Sequence, residues 1–299
     1  MLVVAALGGN ALLRPGEPLE IGAQRRNLLR AAQALAPIAE AHRLVVTHGN
    51  GPQVGLLALQ AAAYAGAPPT PLDVLGAESE GMIGYLIEQA LAERLPDREF
   101  ATLITQVEVD LDDPAFGAPT KPIGPVYSKP EADLLAARAG WTLTPDRSGF
   151  RRAVPSPRPR RIREIGVIRR LEAAGVIVIC AGGGGVPVVA RPDGALVGVE
   201  AVVDKDLSAA LLAGEIDADV LLLLTDVPAV RAHWPDGETI GRTTPAQLRK
   251  LSFAPGTMGP KVEAACAFVE RTGKLAAIGD MADAPAILRG ECGTIIAPG

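Results

Sequence analysis

His48-Gly49-Asn50-Gly51 stands directly behind the apolar run Leu44-Val45-Val46-Thr47. An echo of it, Gly8-Gly9-Asn10, stands directly behind Leu2-Val3-Val4-Ala5-Ala6-Leu7. A stretch that reads as helix follows each of them. Glycine at a strand-to-helix turn lets the backbone approach an anion closely, and the helix N-terminus presents N–H groups with no intrahelical partner. Two such loops read as one phosphate-handling surface on an α/β sheet, and phosphoryl transfer is the chemistry they suggest first.

The 299 residues suffice for one large α/β domain or two modest ones. Hydrophobic residues make up 48% but aromatics only 3%, so the core must be assembled from Ala, Leu, Val and Ile. Short aliphatic strands buried on both faces are the habit of parallel sheets. A formal charge of −5 supplies no overall pull toward nucleic acid. The basic run Pro157-Arg158-Pro159-Arg160-Arg161-Ile162-Arg163 reads as a solvated face or a subunit contact rather than a nucleic-acid patch. Cys180, Cys266 and Cys292 are far apart and odd in number, which signals neither a zinc site nor a disulfide framework. The chain opens on a strand without the basic segment and cleavage site of a signal peptide. No apolar run nears the ~20 residues that cross a bilayer. A cytoplasmic protein with no membrane partner is the expectation.

The first hundred residues alternate strands with helices. Strands are expected at 2–7 and 43–47, helices from Ile21 to Ala41, from near Gln53, and from Val74 to Leu95, and a strand over Thr102–Val107. That rhythm predicts right-handed crossovers and a mostly parallel sheet. Residues 112–161 break it, with prolines at 114, 119, 122, 125, 130, 155 and 157, too many for a buried crossover. A short helix at 131–139 and strand-like pieces at Trp141–Thr144 and Phe150–Ala153 make this an insertion standing off the main sheet. It is either a lid or contact arm, or a plain surface excursion. The rhythm resumes with a helix at 162–174, the strand Val176–Ile179, a helix from Leu207 to Ala213 and the strand Val220–Leu224. A helix at 258–272, the strand Leu275–Ile278, a helix at 283–289 and a strand at 293–296 close the chain.

Phosphoryl transfer asks for cations around the equatorial oxygens, Mg²⁺ on the nucleotide phosphates, and loops that hold donor and acceptor in line. Gly182-Gly183-Gly184-Gly185 follows a buried strand, on the edge where open α/β sheets bind ligands. It is a flexible turn or, as its entropic cost argues, a place where backbone approaches a ligand closely. Lys205, between Asp204 and Asp206 at a helix start, belongs to a solvated cap or is aimed at phosphate and held by one carboxylate. Lys261 sits in the first turn of another helix, where the dipole disfavours a cation unless an anion binds there. The preceding Gly256-Thr257-Met258-Gly259-Pro260 supplies a flexible approach. Lys121, between Pro119 and Pro122, would be held on a stiff loop as the electrostatic finger of a lid. Thr225-Asp226 ends a buried strand and either meets a nucleotide or begins a turn. Neither a G-x-x-x-x-G-K-[ST] P-loop nor a G-x-G-x-x-G fingerprint occurs.

Taken together, these segments resemble the carbamate kinases of the amino-acid-kinase superfamily. The matching stretches are Ala6-Leu7-Gly8-Gly9-Asn10-Ala11-Leu12, Val46–Gly55, Gly81-Met82-Ile83-Gly84-Tyr85 and Pro119-Thr120-Lys121-Pro122-Ile123-Gly124-Pro125. Arg151-Arg152-Ala153-Val154-Pro155-Ser156-Pro157, Ala181–Pro187, Gly198–Asp206 and Phe253–Ala264 extend the match over almost the whole chain in the family's order. The resemblance implies a three-layer α/β/α open sandwich with a mainly parallel eight-stranded central sheet, the amino-acid-kinase fold, plus a protruding subdomain. One domain would span 1–299. Its N-terminal lobe, about 1–203, would serve carbamate or carbamoyl phosphate and contain the protruding subdomain at about 112–161, and its C-terminal lobe, about 204–299, would serve the nucleotide.

The implied reaction is ATP + carbamate ⇌ ADP + carbamoyl phosphate with Mg²⁺, in a homodimer, usually forming ATP in arginine catabolism. By matching motifs, Gly8, Gly9, Asn10, Gly49, Asn50 and Gly51 would donate to the transferred phosphoryl group and the carbamate, beside Gly182, Gly183 and Gly184. Lys121, Lys205 and Lys261 would neutralise equatorial oxygens. Asp206 would position the lysines and face the Mg²⁺ water shell, with no protein atom ligating the metal directly. Thr225, Asp226, Met258 and Pro260 would line the nucleotide pocket. Ala5 and Ala6 stand where other superfamily members carry a lysine; in carbamate kinases a lysine of the protruding subdomain looks to replace it, which points to Lys121. Departures from the family pattern include Glu80, where glutamine is more usual, Pro228, Ser128-Lys129-Pro130 and Gly279-Asp280-Met281. A superfamily kinase for another small acid and a non-catalytic nucleotide-binding regulator are the competing readings.

Overall fold

Leu2-Val3-Val4-Ala5-Ala6-Leu7 is buried along its whole length, and in the computed structural model it forms the middle of the main sheet. The structure describes all residues except 15, 65, 67, 147–148, 234–235 and 254–257, and the side chain of Asn10. The chain runs β1 (Leu2–Leu7), α1 (Ile21–Ala41), β2 (Arg43–His48), α2 (Gly51–Ala63), α3 (Leu72–Ala92), β3 (Phe100–Thr102) and β4 (Gln106–Glu108). It continues through β5 (Lys121–Tyr127), α4 (Lys129–Ala139), β6 (Thr142–Asp146), β7 (Gly149–Val154), β8 (Arg161–Ile162), α5 (Ile165–Ala173) and β9 (Ile177–Ile179). Then come β10 (Val186–Ala190), β11 (Leu196–Gly198), α6 (Lys205–Glu215), β12 (Val220–Thr225) and β13 (Arg242–Thr243). The last elements are α7 (Pro245–Leu248), α8 (Met258–Thr272), β14 (Leu275–Asp280), α9 (Ala284–Leu288) and β15 (Thr294–Ile296).

The eight-stranded sheet has the order β13-β15-β14-β12-β1-β2-β9-β3, and its neighbours are parallel except for β14 and β15. Strand periodicity of two divides the core between its faces. Val3, Ala5 and Leu7 pack with Leu28 and Leu35 of α1, Ile83 and Ile87 of α3, and Ile287 of α9. Leu2, Val4 and Ala6 pack with Ile168 of α5, Leu212 of α6, and Phe268 and Val269 of α8. Helices on both faces of a parallel sheet make the three-layer sandwich that the aliphatic composition requires. Among the described residues no helix is long and apolar enough to cross a membrane.

Two expectations need correction. The stretch Thr102–Val107 is not one strand: β3 closes the edge of the main sheet, whereas β4 belongs to a second sheet of order β11-β10-β4-β8. The chain turns between them at Leu103–Thr105, where the Thr105 hydroxyl donates to Leu103 O at 3.2 Å and receives Ala181 N–H at 2.9 Å. Lys121 does not lie on a loop. It begins β5, whose Pro122 and Pro125 are tolerated because β5 is the edge of a third sheet of order β5-β7-β6.

That third sheet rests on α2 through a contact between two glycines. A Cβ built on Gly55 would lie 1.9 Å from Gly124 Cα and 2.1 Å from Gly124 N. Backbone cannot yield by changing rotamer, so Gly55→Ala must push β5 off the helix. An overpacking cost of ~1–3 kcal/mol is expected, toward the upper end because both clashing atoms are main chain. A urea unfolding midpoint indistinguishable from the parent protein would contradict this account of the contact.

Candidate active site

Strands β12, β1, β2 and β9 lie side by side and point the same way. Their C-terminal ends therefore set Thr225, Gly8, Gly49 and the Gly182 run along one edge of the sheet, where open α/β sheets hold ligands. Gly8 N–H donates to Leu224 O at 3.0 Å and Gly49 N–H to Leu7 O at 3.2 Å, so both loops leave the sheet still tied to it. A Cβ on Gly8 would lie 2.9 Å from Leu224 O, which explains the glycine there. Helix α2 starts at Gly51 with Pro52 in its first turn, and its N-terminal N–H groups open onto the same edge.

The lysine cluster faces these loops. A Cβ on Gly49 would meet the Lys205 stem, 3.2 Å from Cδ and 3.4 Å from Cε, with Gly9 N at 3.7 Å. The Lys205 ammonium donates to Asp206 Oδ1 at 2.6 Å, and Lys261 donates to Asp206 Oδ2 at 3.0 Å. Lys121 reaches across from the third sheet to Asp204 Oδ2 at 2.5 Å. Asp204 also caps α6, its other oxygen accepting from Asp206 N–H at 2.9 Å. Asp206 thus holds two of the lysines rather than all three, and Asp204, which the sequence reading offered only as part of a helix cap, holds the third. Three ammonium groups against two carboxylates leave one positive charge in excess.

Burial sets the electrostatics here. It alone would raise the Asp206 carboxyl, but Lys205 and Lys261 outweigh it and hold the group well below the usual carboxylate range. Burial also depresses Lys261, helped by the charge of Lys205, and Asp206 only partly offsets this, leaving it at about 8. Lys205 suffers the same desolvation yet is raised, because Asp206 and Asp204 both flank it. Lys261 is therefore the cation most easily discharged, and an anion bound beside it would restore its proton.

The glycine run makes its close approach to protein. A Cβ on Gly182 would lie 2.4 Å from the His48 ring, one on Gly183 would strike the Asn50 amide at 2.2 Å, and one on Gly184 would lie 2.4 Å from Val203 O. Gly183, Gly184 and Gly185 have φ of +67°, +97° and +84°, which side chains rarely adopt. Gly184 O accepts the Ser208 hydroxyl of α6 at 2.7 Å. The run is a buried brace between the His48–Gly51 loop and the helix that carries Lys205, and this packing accounts for the glycines.

A model of the amino acid kinase family matches residues 1–280. The chain belongs to that family. It is 55% identical to a carbamate kinase of Rhizobium meliloti over 99% of its own length and 93% of the relative's. It is 52% identical to one of Haemophilus influenzae, covering 99% and 96%. The solved structure of a Giardia lamblia carbamate kinase bound to AMP-PNP superposes with a TM-score of 0.90 at 43% identity, covering 100% of this chain and 98% of that one. Against the family's fold, Thr225 and Asp226 stand at the end of β12, with the Thr225 hydroxyl donating to Asp226 at 3.2 Å. Met258 and Pro260 are half-buried in the first turn of α8, three residues and one residue before Lys261. Gly256 and Thr257 of the expected flexible approach lie outside the described residues, as does the Asn10 side chain.

The basic run is absorbed by the protein itself: Arg158 pairs with Glu263, Arg160 with Asp110, and Arg161 and Arg163 with Glu108. Sequence reasoning missed Ser79, Thr105 and Ser208, and noted Glu80 only as a departure from the family pattern; all four hold the loops from behind. A carboxylate or hydroxyl in the middle of a helix carries no sequence signal that it faces inward.

Proposed function

We propose that this chain transfers a phosphoryl group reversibly between ATP and carbamate, ATP + carbamate ⇌ ADP + carbamoyl phosphate. One observation carries the reading: Lys205 lies against Gly49 while its ammonium shares Asp206 with Lys261, so buried positive charge meets two backbone loops at one point. Gly9, Asn10, Asn50 and Gly51 supply N–H donors to the phosphoryl group and the carbamate, beside the Gly182–Gly184 brace, while Gly8 and Gly49, whose N–H groups are held by Leu224 O and Leu7 O, let the backbone come close. Lys121, Lys205 and Lys261 neutralise the equatorial oxygens as charge spreads over them in the transition state. Thr225, Asp226, Met258 and Pro260 line the nucleotide side. Carbamate is already an anion, so no general base is required, and positioning together with charge neutralisation carries the catalysis.

The donor set suits Mg²⁺ that arrives on the nucleotide. Both Asp206 oxygens and both Asp204 oxygens already accept from lysines or backbone N–H groups, which favours a role through the ion's water shell over direct ligation. Among the described residues no cluster of three or more His, Cys, Asp or Glu could hold a metal. Asp206 would face the ion's water shell, and the ion would supply charge neutralisation on the nucleotide phosphates. The remainder of the reading is a cytoplasmic homodimer that forms ATP in arginine catabolism, with a carbamate lobe at about 1–203, a protruding subdomain at about 112–161 and a nucleotide lobe at about 204–299. The test is ATP formation from ADP, Mg²⁺ and carbamoyl phosphate, coupled through hexokinase and repeated with acetyl phosphate. Rapid turnover of carbamoyl phosphate with much less of acetyl phosphate is expected. No turnover in a protein that still binds ADP would move the assignment to another acid acceptor or to a regulatory role.

A further inference from the structure

Behind the substrate loops, two adjacent residues in the middle of α3 are buried and point at different loops. The Ser79 hydroxyl donates to Gly76 O at 2.8 Å, which orients its oxygen to receive the Asn50 amide at 2.8 Å. Glu80 is 1% exposed; its Oε1 accepts Gly182 N–H at 2.7 Å and its Oε2 accepts Thr105 N–H at 3.1 Å. Thr105 in turn receives Ala181 N–H on its hydroxyl. Ala181 has φ of +50°, a left-handed conformation that a non-glycine residue keeps only when its surroundings impose it. Glu80 and Thr105 together impose it, and the turn they hold presses Gly182 against His48 and Gly183 against Asn50.

We infer that Glu80 is a positioning residue for phosphoryl transfer: by receiving the Gly182 and Thr105 N–H groups it fixes the turn on which His48 and Asn50 rest, and so sets where the Gly49–Gly51 backbone meets the transferred group. The inference rests on the activity proposed above. It goes beyond it because, among the described residues, Glu80 bonds the Gly182 and Thr105 N–H groups and none of the three lysines.

Burial also gives this brace a charge state that can be read. Desolvation pushes the Glu80 carboxyl up to about 8 in spite of its two N–H donors, and the neighbouring Glu164 adds to the rise. The other titratable groups facing it are His48, which burial lowers to about 4 and which is neutral near pH 7, and Cys180, whose thiol burial pushes far above its usual value. His48 Nδ1 meets Gly49 O at 3.0 Å, and its Nε2 has no partner among the described residues. Neither neighbour compensates a charge on Glu80. Above pH 8 a carboxylate therefore appears directly beneath loops that must receive an anionic substrate.

The experiment compares wild type, Glu80→Gln and Glu80→Ala in ATP formation from pH 6.5 to 9.5, with KM for carbamoyl phosphate and for ADP separated. Glutamine keeps the bulk and one acceptor, so kcat at pH 7 is expected to fall about threefold; alanine leaves both N–H groups unpaired, with a fall of about thirtyfold or more. KM for ADP stays unchanged in both. Between pH 7 and 9.5 the wild-type KM for carbamoyl phosphate should rise about tenfold and that of Glu80→Gln about threefold, the residue being the discharge of Lys261, which both share. If Glu80→Ala fails to fold, the Glu80→Gln profile decides. Wild-type turnover with superimposable pH profiles in the two proteins overturns the positioning role alone. Absence of wild-type turnover overturns the proposed activity and this role with it.

Discussion

Lys205→Ala is expected to lower kcat for ATP formation by about 10³-fold, ~4 kcal/mol of transition-state stabilisation, while ADP binding stays within a few-fold. The magnitude follows from where the ammonium sits. Only 14% of its side chain is exposed and its stem lies against Gly49, so its charge acts where water screens it weakly. Truncation also leaves Asp206 with Lys261 alone, exchanging a cluster with one excess positive charge for a neutral one. Lys205→Arg should be nearly as inactive, because the Gly49 backbone lies too close to the stem for a longer, planar fork to enter in the same pose. The measurement is steady-state kinetics beside ADP calorimetry on protein shown to be folded. Turnover of the alanine variant within tenfold of wild type would remove Lys205 from the chemistry.

Much of this site was legible in the sequence because its loops interrupt patterns that are otherwise strict. Gly8-Gly9-Asn10 and His48-Gly49-Asn50-Gly51 stand out against aliphatic strands whose two faces are both buried, and helix α1 occupies the residues that its periodicity predicts, Ile21–Ala41. Patterning failed where neighbouring strands of similar composition change sheets. Thr102-Leu103-Ile104-Thr105-Gln106-Val107 reads as one strand, and the bonds that hold Thr105 at the turn go to Leu103 O nearby and to Glu80 and Ala181 distant in sequence. It failed again at β5, where prolines mark an edge strand that sequence alone cannot tell from a loop. The glycine run was seen but its reason was not, since the atoms that crowd it belong to His48, Asn50 and Val203. Glu80 was visible in the sequence only as a departure from the family pattern, without a role. Its role depends on which side of α3 faces the loops, and α3 carries apolar residues around too much of its circumference to say.

Asp206→Asn should be the most destabilising single change in the cluster, by ~3–5 kcal/mol near pH 6, because it leaves two buried ammonium groups without their shared anion. Asp206 is 4% exposed and accepts one lysine on each oxygen. Its carboxyl is held below the usual range in the folded protein, so its contribution is fully present above the unfolded value of ~3.9 and is lost only as pH falls through the lower folded value. The charge on Asp206 in the wild type is therefore constant from pH 6 to 8.5. The variant's deficit is not. Lys261 already titrates at about 8 in the folded protein, and without Asp206 it falls further, while the unfolded lysine keeps its proton to ~10.4. Below ~10.4 the unfolded variant then binds the extra proton over a window that opens below pH 8, so its stability begins to rise at a lower pH than that of the wild type, whose own Lys261 opens the window only near pH 8. Urea unfolding of both proteins at pH 6 and pH 8.5 should show the gap narrowing at the higher pH. The same discharge removes one cation from the transition state at neutral pH, so kcat should fall at least as far as in Lys205→Ala. A loss of stability below ~1 kcal/mol at pH 6, the range of an exposed pair, would mean that Asp206 is not what allows two lysines to be buried beside Gly49.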